Sequence, residues 1–562
     1  MVRMRVWCAA VAALVGVQLV RADSSACPLR WTYVRNDLTK EGLFNSLSNG
    51  VERMAANGFN GFVWACGTEE EGYDFHRCVG ARRERFLRMC RFCDQKGIEI
   101  IPLLWSVGRA HAILDYDFNF GEATPLKDLP YVSLGRTAVF EPEEKDLAWR
   151  NDEPFPDPLR LDVKPGSEPG KFERGTMART VKVRPYRRYR LTFQTRTEGV
   201  ASDKRFIRDA YDMSVRRSRN GEPCSPGREL FWISARMKNW YDACFDFITC
   251  SNDEARIGIW MAEGAERGWA EFRNFKVTPL GLQKIVRREG APMTVRSAAT
   301  GRVYKEGRDW LLKEVSTPVP ERVTDADFKL EIPVGSSIKK GERLLVSAYT
   351  LVRRASHQAG VCMGNPALYP YFGKSMDDAI QVFGPRRRWF LPMDEIRSGG
   401  TCESCRGIGL GKLFAACLRA QCRIIRKRVP EAEIYVWSDM FSPFTNAREA
   451  DSKHDYALCD GAFWPISKDL PKDIVPVVWS GEDLMEKELD YFNSLGYSVL
   501  YAGFYDADTV DCFRGVGSMK AMKRAKDCCG YLYTSWKFRG NFELLPAYGE
   551  ALKREFGPLP CK

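Results

Sequence analysis

The alternation of apolar and polar positions changes period twice along the chain. The first hundred residues read strand, helix, strand, helix, strand. "RWTYV" (30–34) predicts a short strand. Leu43, Leu47, Val51 and Met54 then recur at helical spacing, and Gly58 stands where a glycine commonly ends a helix. "FNGFVWA" (59–65) predicts the next strand. Phe86, Met89, Cys90 and Cys93 mark one face of a second helix that stops near Gly97, and "IEIIPLLWS" (98–106) reads as a strand buried on both faces. Such alternation predicts a parallel sheet with helices outside it.

From about 136 to 285 the period becomes two. In "YRLTFQT", Tyr189, Leu191, Phe193 and Thr195 share one face, and Arg190, Thr192 and Gln194 share the other. "ARIGIWMAEG" and "WAEFRNFKV" predict a further strand pair. The region resembles the jelly-roll sandwich of carbohydrate-binding modules; an unrelated sandwich that braces the rest is the other reading. Residues 286–355 keep strand character, and 343–351 falls to this inserted β layer. Strand–helix alternation then resumes with "RRWFLPMDE", "AEIYVWSDM", "DIVPVVWSG", "YSVLYAGFYD" and "GYLYTSW". The expected fold is α/β: a (β/α)8 TIM barrel interrupted after strand three by a jelly-roll-like sandwich and further β hairpins.

Composition narrows the class. Hydrophobic content of 44% and 12% aromatics fit a packed globular protein. The net charge of +12 comes from 85 basic and 73 acidic residues spread over 562 positions. No basic block interleaved with aromatics suggests a nucleic-acid surface. "MVRMR", the apolar "VWCAAVAALVGVQLV" and the small residues up to Ala22 read as a signal peptide, so export to a periplasmic or extracellular space is expected. A lipoprotein at Cys27 fits less well, because Arg21 and Asp23 separate that cysteine from the apolar run. No later apolar run is long enough for a membrane span. The expected organisation is signal peptide (1–22), first barrel part (23–135), sandwich (136–285), β-rich connection (286–355) and second barrel part (356–562). Nothing in the sequence fixes an oligomeric state.

Loss of Cys8 with the signal leaves 18 of 19 cysteines. Cys90 and Cys93 lie on an apolar helix face and are read as core. Cys402 and Cys405 follow a Gly-rich stretch and fit either a loop-bracing disulfide or half of a zinc site. With no histidine near and no second pair evident, no metal and no cofactor are expected.

Barrel enzymes carry their chemistry at the C-terminal strand ends. Those ends hold Trp64, Trp105, the adjacent acids Asp394 and Glu395, then Trp437 with Asp439, Trp479, Tyr505 with Asp506, and Trp536. Aromatic rings beside carboxylates suit a sugar pocket, so an oligosaccharide or polysaccharide is the expected partner.

"FLRMCRFCDQKGIEIIPLLWSVGRAHAIL", "FLPMDEIRSGG", "IYVWSDM", "VPVVW", "FYDAD" and "LYTSW" together resemble the barrel of family-20 glycoside hydrolases, the β-N-acetylhexosaminidases. The resemblance implies an exo-acting, substrate-assisted retaining hydrolase of β-linked (N-acetyl)hexosamine ends. It implies Glu395 as general acid/base and Asp394 as the residue that orients the substrate's acetamido nucleophile. It also implies Tyr505 as a donor to the acetamide, Trp437, Trp479 and Trp536 as pocket walls, and Arg30 as a sugar-binding arginine. The chain departs from the family in carrying Arg109 after Gly108 and Leu103 before the loop, where the family has histidine and glutamate. Two other readings remain: a two-carboxylate glycosidase pairing Glu395 with Asp439 or Asp506, and a non-catalytic glycan-binding protein.

Overall fold

A computed structural model describes residues 28–559 except 67–74, 76–77, 143–148, 169–170, 204–208, 217–227, 235, 263, 317–327, 356–357, 448–469, 505–516, 536–539 and 541. The expected signal segment therefore lies outside the described residues. Eight parallel strands form one sheet: β1 (Leu29–Arg35), β2 (Gly61–Ala65), β3 (Glu99–Pro102), β4 (Arg388–Leu391), β5 (Glu433–Trp437), β6 (Ile474–Val478), β7 (Val499–Phe504) and β8 (Cys528–Thr534). The sheet closes on itself. Leu103 bridges Phe390 in parallel, and the Leu104 N–H donates to the Phe390 carbonyl at 2.8 Å. This is the interrupted barrel that the alternation predicts, with 343–351 outside it.

Period-two alternation sorts the strand residues between two cores. Trp31, Tyr33, Val63, Ala65, Leu103, Phe390, Tyr435 and Trp437 pack together inside the barrel. Val34, Trp64, Trp389 and Val436 face the other way, into the layer beneath the helices. The helix α1 (Glu41–Ala56) buries Leu43, Leu47, Val51 and Met54, and α2 (Gly80–Lys96) buries Phe86, Met89, Cys90 and Cys93. Gly58 and Gly97 follow these helices at φ +73° and +68°, the left-handed conformation that lets the chain turn back toward the sheet.

The insertion is nested. Strands 123–133, 137–140, 294–297, 303–304, 311–314, 328–331 and 343–351 make a seven-stranded antiparallel sheet with its own core. Between its second and third strands in chain order sits a sandwich. A five-stranded sheet (159–165, 172–174, 188–201, 241–248, 267–280) faces a six-stranded one, and Leu191, Phe193, Tyr211, Ile257 and Phe272 share their core. The strand 353–355 reaches back to extend the six-stranded sheet.

The insertion leaves and rejoins the barrel through a narrow neck. After β3 comes α3 (His111–Tyr116), and the returning chain leads into α4 (Leu368–Phe383). The two passages are hydrogen-bonded side by side: Ala110 N–H to Ala359 O, Glu122 N–H to Gly360 O, Val361 N–H to Val107 O, and Cys362 N–H to Phe120 O, at 2.8–3.0 Å.

Candidate active site

β4 delivers Asp394 and Glu395 to the C-terminal mouth of the barrel after a short turn at Pro392 and Met393. Glu395 holds φ +47°, a left-handed conformation that costs an L-residue about 1–2 kcal/mol. Two features accommodate it. The Glu395 N–H donates to Asp439 Oδ2 at 3.0 Å, just beyond β5. Gly108, from the loop after β3, lies flush against the same turn; a Cβ there would sit 2.6 Å from the Asp394 carbonyl oxygen.

The Glu395 carboxylate carries two ion pairs on one oxygen. Arg109 Nη2 donates to Oε2 at 2.5 Å and Arg397 Nη2 at 2.9 Å, with all three side chains largely buried. The Arg109 N–H is in turn held by Ser106 Oγ at 3.0 Å. Arg109 thus stands at the site from the sequence position where the resembled family has its histidine.

Asp439 is fully buried. Its Oδ2 also accepts from Asn446 Nδ2 at 2.8 Å, whereas Oδ1 has no hydrogen-bond partner among the described residues. Burial, and then the charge of Asp394, push its carboxyl up to about 8. Burial likewise raises Asp394 to about 6, with the Arg109 charge opposing and the Glu395 charge adding. The phenol of Tyr33, raised mainly by burial, is also within the electrostatic reach of Asp394. Burial thus favours the protonated form of both carboxyls, and more strongly that of Asp439, whose neighbour Asp394 adds to the rise.

Not every sequence-predicted residue joins this group. Trp437 reaches it only through Tyr33: its ring packs against Phe390 and Tyr33 in the lumen, and Trp479 packs partly buried on the same cluster. Arg30 does not. It faces outward near the start of β1, where its Nη2 donates to the Gly557 carbonyl at 2.7 Å just past the helix Leu545–Phe556. Helices return antiparallel to the strands, so that contact marks the opposite end of the barrel. Trp105 also faces outward, stacked on Phe372 of α4 with ring centroids 4.6 Å apart. Tyr505, Asp506 and Trp536 lie outside the described residues. Sequence reasoning missed Arg397 and the pairing of Arg109. Both flank predicted site segments, in "VGRAH" and "DEIRSG", and a search for cations within a loop's reach of the acids finds them.

A cavity of about 440 Å³ lies elsewhere, between α3 and the seven-stranded sheet, with Asp115, Tyr116, Asn119, Arg287 and Glu306 in its wall. It contains none of the strand-end residues.

No family model matches the chain, and no curated protein matches it. Among solved structures it is similar to a rhamnosidase from Novosphingobium sp. PP1Y, at 9% identity and a TM-score of 0.34, over 91% of this chain but only 55% of that one. It is similar to the GH20 catalytic modules of the pneumococcal exo-β-D-N-acetylglucosaminidase StrH, at 7% identity and a TM-score of 0.36, over 95% of this chain and 86% of that one. It also aligns with the α-L-arabinofuranosidase MgGH51, at 12% identity and a TM-score of 0.19, over 72% of this chain and 71% of that one. The chain thus weakly resembles distant glycosidase folds without a family-20 match.

Proposed function

We propose that the chain is a glycoside hydrolase that cleaves β-linked hexosamine-type residues from glycan ends, with the carboxylates at the barrel mouth as its centre. One observation carries the reading: Asp394, Glu395 and Asp439 converge with two guanidiniums at the barrel mouth, above the lumen cluster that Trp437 and Trp479 join. Indole faces stack on pyranose rings, and a carboxyl that keeps its proton near neutral pH can protonate a glycosidic oxygen. Glu395 acts as the acid/base. Once substrate has displaced one guanidinium and Glu395 has taken up a proton from solvent, it gives that proton to the leaving oxygen as the substrate's acetamido oxygen attacks the anomeric carbon. It then takes a proton from the water that opens the resulting ring. Asp394 orients the acetamido group, and Asp439 positions Glu395 through its backbone N–H. This reading keeps Tyr505 as a donor to the acetamide, and Asp506 and Trp536 as sugar-binding residues. Arg109 and Arg397 hold Glu395 until substrate displaces one of them.

Those same ion pairs favour a second reading, in which Glu395 stays clamped and Asp394, raised to about 6, is the proton donor. Aryl glycosides with leaving groups of graded acidity separate the two. Under the first reading Glu395→Gln loses about 100- to 10,000-fold on poor leaving groups and much less on good ones. Asp394→Asn then loses activity whatever the leaving group. The reverse pattern assigns the proton to Asp394. No nitrophenol from any sugar, N-acetylated or not, leaves the barrel a non-catalytic glycan binder.

A further inference from the structure

Three cysteines that are far apart in sequence meet behind the acid loop. Cys362 lies where the neck returns to the barrel, and Cys402 and Cys405 lie in the turn that follows Asp394, Glu395 and Arg397. Their sulfurs are 3.8 Å (Cys362–Cys402) and 3.5 Å (Cys362–Cys405) apart, and all three lie within 4.8 Å of one another. A disulfide holds its sulfurs about 2.0 Å apart. Zinc–sulfur bonds of about 2.3 Å in a tetrahedron put the sulfurs about 3.8 Å apart. The observed spacing matches the second arrangement.

The surroundings suit a bound cation. All three cysteines are buried, which suits a closed structural centre. Glu122, fully buried in the neck, lies within electrostatic reach of all three sulfurs. Its Oε1 accepts from the N–H and hydroxyl of Thr401, the residue next to Cys402, while its Oε2 has no hydrogen-bond partner among the described residues. A buried carboxylate oxygen left without a donor is costly unless a cation or its bound water takes it. The Arg288 guanidinium stands against Cys402 and within reach of Cys362 and Glu122, which offsets part of the excess negative charge of three thiolates and a carboxylate around one divalent ion.

We propose that Cys362, Cys402 and Cys405 bind one zinc-class divalent cation as thiolates, with a water between the metal and Glu122 Oε2 as the fourth ligand. The centre is structural and stands independently of the glycosidase reading. It ties the acid loop to the neck and, through Arg288 and the Glu403 N–H to Gly290 O bond (2.8 Å), to the 288–290 turn beside the inserted sheet. Binding releases the thiol protons, so retention weakens in acid.

Elemental analysis of the full chain tests this, with the protein grown in zinc-supplemented medium and purified without a chelator or a metal-charged resin. About one zinc per chain is expected. Cys362→Ala and Cys402→Ser lose the metal, and Cys422→Ala, a buried cysteine outside the cluster, keeps it. Glu122→Gln surrenders its zinc to a chromogenic chelator at least about tenfold faster than wild type. Should the cysteine variants fail to fold, cobalt-grown wild type still reads out the centre by thiolate-to-cobalt charge-transfer bands. A metal-free wild type without those bands overturns the proposal. So does non-reducing peptide mapping that finds two of the three cysteines in a disulfide. Unchanged zinc release from Glu122→Gln overturns the role of Glu122 alone.

Discussion

Arg109 and Gly108 bring two neighbouring positions of one loop to the acid pair, one by charge and one by the absence of a side chain. The Arg109 guanidinium favours ionised Asp394. Arg109→Gln therefore moves any limb of the pH–rate profile set by Asp394 from about 6 to higher pH, and an unmoved limb removes Asp394 from the titrating groups. Gly108→Ala drives a methyl into the Asp394 and Glu395 carbonyls and is expected to cost about 1–3 kcal/mol in urea unfolding. Asp439 gives a stability signature of its own. Its folded carboxyl titrates at about 8 against an ordinary 3.8, so between those values the folded state holds a proton that the unfolded state has lost. Stability from this group is complete below about 4 and falls as pH rises through about 8, with Asp394 adding the same sign up to about 6. Wild type should unfold at lower urea at pH 8.5 than at pH 5. Asp439→Asn, neutral at both, should lose most of that slope.

At the scale of elements, one buried joint couples the sandwich to the sheet around it. Asp246, on strand 241–248, accepts from Arg190 Nε at 2.9 Å and Arg188 Nε at 3.4 Å. Arg188 Nη1 also donates to Thr350 Oγ1 at 2.7 Å, and Arg190 Nη2 to Gln283 Oε1 at 3.3 Å, both outside the sandwich. Asp246→Ala leaves two buried guanidiniums without their carboxylate, and chemical denaturation should read a loss of about 3–5 kcal/mol. A loss under about 0.5 kcal/mol, the range of ordinary surface changes, removes the joint as a stabilising contact. The strands that carry it were legible from alternation alone: Tyr189, Leu191 and Phe193 are buried. The joint was not legible, because Arg190 occupies the polar face of its strand. Only the packing of that face against another sheet buries it.

For the molecule as a whole, the sandwich has a core of its own, drawn from one continuous stretch of chain between 155 and 277. We propose that it is an independent folding unit. Expressed as 149–280, it is expected to give strand-type circular dichroism and dispersed amide resonances, at lower stability than in the full chain because the Arg188–Arg190–Asp246 group then faces water. An unfolded segment makes the sandwich an integral brace of the barrel instead. The barrel has no such continuity. Its first three strands and last five are separated by the whole insertion, and the neck must bring them together before β3 can meet β4.

The sequence by itself determined the eight barrel strands, the first two helices with their terminal glycines, and the carboxylates at the end of "WFLPMDE". These follow from local spacing, which acts over a few residues. Strand parity was also present in the sequence for Arg30, which stands at an outward position relative to Trp31 and Tyr33; Trp105 shares the parity of Leu103 and faces outward only because β3 has already ended at Pro102. The family resemblance placed Arg30 at the site without that check, and the strand-end reading placed Trp105 there by carrying β3 past its end. The tertiary structure alone decided which cations meet Glu395, which carboxyl loses water at Asp439, and which third sulfur faces Cys402 and Cys405. Cys362 precedes Cys402 by forty positions, with α4 and β4 between them. Its approach depends on barrel closure and on the neck, neither of which leaves a mark in local hydrophobic spacing.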